Sequence, residues 1–285
     1  PFFFTHKPPS EIASCLVGSE MCIRDSLKKT PLRFPKIRDK GVFLVKQGDY
    51  ERYRVIMTLD PKLRSDLFVL MAANIEISRA PWMSRERLIS EIRLRWWLEA
   101  IEEIESDKAV RRHFVTSPLE DTLNQSQTKL IKENITARSW DINTDPHLNQ
   151  KELFNYIDCT SGNIWAVAAE LLGGSQKIGR LLGNAIGVVQ YCKASKKFTE
   201  RGRAPFPKPE EEIIQNFLQW GKTQLEEGLL EVEKLQKPKN AIRRFVWDTS
   251  FYLKQFLRKP DYIKTSTKPY DTVRFFRFWI ACLRF

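Results

Sequence analysis

The chain has 285 residues, 42% of them hydrophobic and 29% charged, and carries 47 Lys and Arg against 35 Asp and Glu for a net charge of +12. That apolar share excludes wholesale disorder, and the length suits one large or two small domains. The basic balance admits nucleic acid, an anionic membrane surface or phosphorylated ligands as partners, while five Cys without CxxC or metal-ligand spacing exclude a zinc site or disulfide scaffold and suit a reducing, cytoplasmic-type compartment. In chain order, residues 1–26 come first. Leu16-Val17-Gly18-Ser19-Glu20-Met21-Cys22-Ile23-Arg24-Asp25 resembles the conceptual translation of a transposase sequencing adapter, so 1–26 is set aside as an artefact expected to be disordered. Removing it takes away two bases (Lys7, Arg24) and three acids (Glu11, Glu20, Asp25), which moves the net charge from +12 to +13. Residues 27–48, with Pro31, Pro35 and Gly41, read as an irregular lead, and a short helix is expected to start near Asp49. The helical domain is expected over 49–285.

Asp60-Pro61 marks a helix start: Asp60 as N-cap, Pro61 in the first turn, where its missing N–H costs nothing. The helix must stop near Arg79, because Pro81 cannot continue the ladder and disfavours the α region at Ala80. Ser84 is the expected cap of the next helix, in which Leu94, Trp97, Leu98, Ile101 and Ile104 recur at helical spacing. Ser117-Pro118-Leu119-Glu120 has the pattern of a capping box and predicts a helix from there to about 140. Further helices are predicted over 149–172, ended by Gly173-Gly174; over 175–197; over 209–236; over 240–259; and over 270–285. Gly179, Gly183 and Gly187 fall at four-residue steps, a spacing that serves close packing in a bundle, since Arg180 and Asn184 interrupt the run. No apolar run approaches the ~18 residues of a membrane-spanning helix. The last helix alternates Arg274, Arg277 and Arg284 with Phe275, Phe276 and Trp279, a pattern shared by interfacial helices and by core helices.

Two landmarks carry a family resemblance. Leu70-Met71-Ala72-Ala73-Asn74, followed by Arg93-Leu94-Arg95-Trp96-Trp97, is similar to the first landmark of the squalene/phytoene synthase family. Gln190 through Phe198, with Arg201-Gly202-Arg203 and Pro207, is similar to the second, and Tyr156 to Gly162 resembles the stretch where the family keeps a small residue close to the prenyl chain. The resemblance covers about 52–285. It implies an all-α, single-domain, isoprenoid-synthase-like helical bundle. In the family's enzymes each landmark holds aspartates at i and i+4, which lie on one helix face and present hard oxygen ligands to Mg²⁺. Here Ser78 and Trp82 occupy the first pair of positions, with Arg79 where a further acid is usual, and Ala194 and Phe198 occupy the second.

The resemblance is closest to a subgroup without the aspartate pairs, which includes mitochondrial complex I assembly factors and alphaproteobacterial relatives and shares Asn74-Ile75-Glu76. It implies a non-catalytic, assembly-type role with no cofactor, with respiratory-complex subunits or assembly proteins as partners. The location implied is cytoplasmic and peripheral on the inner membrane, or the mitochondrial matrix in a eukaryote. The alternative is a prenyl diphosphate-using transferase, which would need Mg²⁺ against its leaving group. Asn74, Glu76, Trp97, Tyr156 and Gly162 are the candidate cavity residues. Arg93, Lys193, Lys197, Arg201 and Arg203 are candidates to hold the anion of a prenyl or lipid phosphate directly. Nucleic acid is excluded as a partner, since the bases are spread along the chain with no recognition motif.

Overall fold

The architecture follows from one helix that is apolar all round. In the computed structural model, which describes residues 37–106, 109–143, 145–236, 239–265 and 277–280, every residue from Leu67 to Ile75 is buried. A helix with no solvated face must be enclosed by others. This helix, α3 (Pro61–Arg79), is wrapped by α1 (Ile37–Gly48), α2 (Tyr50–Met57), α5 (Thr116–Glu120) and α8 (Asn163–Leu171). The rest of the chain adds α4 (Arg87–Glu105), α6 (Gln125–Ala137), α7 (Gln150–Ile157), α9 (Gln176–Glu200), α10 (Glu210–Glu233), α11 (Lys239–Phe245), α12 (Thr249–Arg258) and α13 (Asp261–Thr265). Among the described residues no strand occurs. By contact, Lys36–Phe285 clusters as one unit.

The start of α3 is the predicted one: Asp60 accepts a hydrogen bond from the Lys62 N–H at 2.9 Å and Pro61 occupies the first turn. Past Arg79 the chain tightens into a 3₁₀ turn, Ala80–Trp82. Four boundaries differ from expectation. The lead is not irregular to residue 48, because α1 forms from Ile37 and buries Val45, with Gly41 against Ala72 of α3. Ser84 caps a turn and not a helix: its hydroxyl accepts from the Glu86 N–H at 3.0 Å, and α4 begins at Arg87. The segment predicted as one helix from 117 to 140 is two. Thr122 donates its hydroxyl to the Pro118 carbonyl at 2.8 Å, and the chain restarts at Asn124, where Asn124 and Gln127 form the reciprocal capping box. The helix expected over 240–259 breaks at 246–248, where the Val246 and Thr249 amides bond back three residues instead of four. Residues 1–36, and the predicted last helix outside 277–280, lie outside the described residues.

The segment expected as one helix over 149–172 carries a π turn, Asp158–Gly162, between α7 and α8. A wide turn leaves backbone groups without their usual partners. Here Asn134 donates its amide to the Thr160 carbonyl at 2.5 Å, and the Thr160 hydroxyl donates to the Tyr156 carbonyl at 2.6 Å. Against this turn and α8 lies α9, held close by its glycines. A Cβ at Gly179 would sit 2.1 Å from the Trp165 carbonyl oxygen, and one at Gly187 2.6 Å from Ile157 Cγ2. The glycine run packs inside the bundle.

Candidate functional site

The four positions that hold metal ligands in the family's enzymes can be followed one by one. Ser78, on α3, donates its hydroxyl to the Ile75 carbonyl at 2.9 Å, a bond within its own helix. Trp82 leaves the 3₁₀ turn and stacks on Phe198 of α9, with ring centroids 5.8 Å apart and planes 17° from parallel. Ala194, one turn before Phe198, lines a small chamber with it. Where the family's enzymes would set two carboxylate clusters face to face, two aromatic rings meet instead. The Arg201 and Arg203 guanidiniums lie over the Trp82 ring at 4.7 and 5.1 Å, and Arg203 also lies 4.4 Å over Trp140. The arrangement is a cation–π closure.

Nearby acids are otherwise engaged. Asp158 accepts from Arg180 at 2.5 Å and from Asn184 at 2.9 Å, and Glu170 accepts from the Gln127 amide at 3.0 Å. Burial holds the Glu76 carboxyl above its usual range, against the pull of Arg79 and Arg93. Among the described residues no three His, Cys, Asp or Glu side chains gather as a metal-ligating set. Mg²⁺ requires several oxygen ligands in near-octahedral order, and the groups at these four positions do not fit it.

Two cavities adjoin this closure. The inner chamber, about 160 Å³, is lined by Asn74, Arg138, Tyr156, Tyr191, Ala194 and Phe198, among others. The outer cavity, about 610 Å³, opens between α2, α9, α12 and α13, with Val55, Phe245 and Phe256 within it and Lys193, Lys196 and Lys197 on its wall. Arg52, Trp165 and Gln190 line both, so the two are neighbours across those side chains.

A buried ionic core braces the inner chamber. The Tyr156 hydroxyl donates to both oxygens of Asp141, at 2.9 and 3.1 Å, and Arg138 donates to Asp141 at 3.1 Å. Arg203 donates to the Trp140 and Asp141 carbonyls at 3.2 and 3.0 Å. His147 stacks on Trp140, centroids 3.8 Å apart. Burial pushes the Asp141 carboxyl and the Tyr156 phenol up, and burial helped by the Arg203 charge brings His147 down to about 3.

The structure therefore divides the candidate residues into groups. Asn74 and Tyr156 reach the inner chamber with Ala194 and Phe198. Lys193 and Lys197 line the outer cavity, and Lys193 Nζ lies 3.4 Å over the Tyr252 ring and 3.8 Å from Asp248. Arg201 and Arg203 belong to the aromatic closure, and Arg93 stands beside Glu76. The five bases named for one anion are thus spread over three places. Trp97 packs edge-on against His113, 5.7 Å between centroids, in a contact formed with the segment before α5. Gly162 faces Asn184 and Asp158, since a Cβ there would lie 2.5 Å from Asn184 Oδ1. Sequence reasoning missed Arg52, Arg138, Asp141, His147 and Trp165. The signal available was the concentration of Trp140, Asp141 and His147 at and just past the end of the helix predicted to run to about 140.

A family model described as squalene/phytoene synthase matches residues 45–217. Similar curated proteins are named NADH dehydrogenase (ubiquinone) complex I, assembly factor 6. The Bos taurus protein is 26% identical over 180 residues, 58% of this chain and 51% of its own length, and the Homo sapiens protein is 24% identical over the same extent. The chain spans about half the length of these relatives. Among solved structures, a dehydrosqualene synthase in complex with ligand superposes with a TM-score of 0.68 at 12% identity, over 87% of this chain and 94% of that one, a likeness of fold.

Proposed function

The chain belongs to the squalene/phytoene synthase family, and from that membership we propose that it is a non-catalytic member with an assembly-type role in respiratory complex I biogenesis. One observation carries the non-catalytic part: Trp82 stacks on Phe198 at the two outer ligand positions, beneath Arg201 and Arg203. Ionising an allylic diphosphate requires charge stabilisation at the leaving group, which the family's enzymes take from metal held by facing carboxylates. Neither ring has an oxygen to offer, and the neighbouring guanidiniums would repel a divalent cation. The assembly part is supported by the names of the relatives, with which the chain shares a common stretch of about 180 residues.

The partners on this reading are subunits or assembly proteins of the respiratory complex, and no metal cofactor is needed. The reading locates the protein at the inner membrane, on its cytoplasmic face in a bacterium or its matrix face in a eukaryote. Among the described residues no helix is long and apolar enough to cross a membrane, and attachment on this reading is peripheral.

The test has two arms. Purified protein is incubated with Mg²⁺ and farnesyl diphosphate, and pyrophosphate release is followed; the expected rate equals that of the Glu76→Ala, Arg93→Ala double variant. Release above that control means that metal is held elsewhere in the chain and sinks the non-catalytic reading. In the second arm the protein is captured from native cells. Respiratory-complex subunits in the eluate are expected, and their absence removes the assembly role.

A further inference from the structure

Exposed large apolar side chains gather in two places on the fold, and the charges around them differ. On α4, Leu88 and Ile92 lie one turn apart, 66% and 59% exposed, with exposed Met83 just before the helix. The arginines beside them are answered within the same helix. Arg87 Nε lies 2.7 Å from Glu91, and Arg95 Nε lies 3.0 Å from Glu99. That face is apolar with a neutral rim.

The second place is assembled from distant stretches of the chain. Phe43 on α1, Tyr50 and Met57 on α2, and Trp279 and Ile280 are all exposed, the last two at 49% and 47%. A series of contacts joins these stretches. Lys46 Nζ lies 5.7 Å over the Tyr53 ring, and Tyr53 stacks on Tyr50 with 6.0 Å between centroids. Arg54, one turn after Tyr50, lies 4.0 Å over Phe278. Phe278 is buried edge-on against Trp247, centroids 5.4 Å apart, while the next two residues of its helix face out. Arg277 lies 4.0 Å over Phe251 of α12. Within 277–280 the expected last helix is thus both of the things its pattern allowed, core at Phe278 and exposed at Trp279 and Ile280.

Here the rim is basic. Lys254 and Arg258 are exposed and stand one and two turns after Phe251 on the same face of α12. Neither of them, nor Lys46 or Arg277, has an acidic partner among the described residues. The acids nearby are engaged: Glu51 with Arg54 at 3.8 Å, Asp49 with Arg52 at 3.2 Å and Asp248 with Lys193 at 3.8 Å. Unpaired cations beside exposed aromatic rings are the composition of a surface that meets a bilayer. The rings enter the boundary between head groups and acyl chains, and the Lys and Arg stems carry their charges to anionic head groups. A second copy suits this face poorly, because a two-fold contact would set the same cations against each other. The neutral rim on α4 offers anionic lipid no such attraction.

We propose that this face, formed by α1, α2, α12 and residues 277–280, docks the protein on an anionic bilayer surface. Trp279, Ile280 and Tyr50 enter the interface, and Lys254, Arg258 and Arg277 meet the lipid phosphates. The proposal deepens the peripheral attachment in the functional reading and rests on that attachment alone. Neither the assembly role nor the absence of turnover enters it.

The experiment is co-sedimentation of the full chain, purified free of other proteins, with vesicles of phosphatidylglycerol and phosphatidylcholine in equal parts and with vesicles of phosphatidylcholine alone. Saturable binding to the anionic vesicles is expected, weaker on phosphatidylcholine and weakened by salt. A cation near the surface is worth about fivefold, so Lys254→Gln combined with Arg258→Gln is expected to weaken binding about tenfold or more. Trp279→Ser combined with Ile280→Ser is expected to weaken it at every salt concentration. Ile92→Ser, on the α4 face, is expected to bind like the parent. No binding to the anionic vesicles, undiminished binding in the Lys254→Gln, Arg258→Gln protein, or an equal loss in Ile92→Ser would overturn the proposal. So would a parent dimer that Trp279→Ser with Ile280→Ser dissolves, which would give the face to a second copy. Subunit capture that needs Trp279 and Ile280 while vesicles go unbound would give it to a protein partner and overturn it as well. If the Trp279→Ser, Ile280→Ser protein does not fold, the charge variant decides alone. Failed subunit capture with vesicle binding intact would refute the assembly reading and leave this surface standing.

Discussion

Gly179→Ala sets two effects of opposite sign against each other, and the geometry decides between them. Position 179 is a helix interior, where Ala is favoured over Gly by about 1 kcal/mol. The new Cβ, however, would stand 2.1 Å from the Trp165 carbonyl oxygen, 2.6 Å from Ala166 Cα and 2.7 Å from Ala169 Cβ. Two of those atoms are backbone, and none is the end of a flexible chain. Relief therefore requires α9 to move off α8, and with it the contacts that Trp165 makes with both cavities. Overpacking of this kind costs about 3 kcal/mol at the upper end of its usual range, so the net effect is a loss of about 2 kcal/mol. For a chain of this size each kcal/mol is worth about 2–4 °C, which predicts a melting temperature lower by about 4–8 °C. Gly173→Ala is the comparison. Its φ is +84° with nothing within 4 Å of the added atom, so only backbone strain of about 1–2 kcal/mol opposes it. Thermal denaturation followed by circular dichroism measures both. A Gly179→Ala protein that melts at or above the parent temperature would refute the close-packing account of the glycine run.

Two further predictions concern the ionic core. His147 titrates near 3 in the fold and near 6.5 unfolded, so its contribution is intact above pH 6.5 and is lost as pH falls below that, by about 2 kcal/mol at pH 5. The raised Asp141 carboxyl works in the opposite direction on acidification, so the measurement is a difference: urea denaturation at pH 7 and pH 5, parent against His147→Phe, which keeps an aromatic ring on Trp140. The parent is expected to lose more stability than the variant, and equal losses would show that His147 is not the group responsible. Tyr156→Phe removes the hydroxyl that donates to both Asp141 oxygens; a cost of about 1.5–3 kcal/mol is expected in urea, and an unchanged midpoint would mean that Asp141 does not depend on it.

What was legible in the sequence was what covalent geometry and local hydrogen bonding decide. Asp60-Pro61 starts α3 as read, and Pro81 ends it by lacking the N–H that would continue the ladder, but the expected departure of Ala80 from the α region does not occur: Ala80 sits at φ −48°, ψ −46° and its N–H still bonds the Glu76 carbonyl. The Ser84 expectation failed because a serine three residues before Arg87 serves equally well in a turn, and nothing local separates the two uses. Within the site, the absence of aspartate at 78, 82, 194 and 198 can be read position by position. That Trp82 and Phe198 would find one another cannot, since the contact exists only once the fold brings the 3₁₀ turn after α3 to the C-terminal part of α9. Arg52 and Arg138 were invisible for the same reason. Each looks like an ordinary surface base in its own helix, and only the fold makes them neighbours around one chamber.

The π turn at Asp158–Gly162 gives the segment from 150 to 171 a phase as well as a length. One residue more or fewer in a helix rotates everything beyond it by about 100°. Tyr156 lies before the turn and Ile164 and Trp165 after it, yet all three line the inner chamber. Deleting one residue between 158 and 162 would make the helix regular and more favourable as an isolated object. It would also turn Trp165 away from the chamber and carry the Trp165 carbonyl out from beneath Gly179. The irregular turn is thus the point at which two halves of a helix are set to the same clock, and the chamber exists only in that setting.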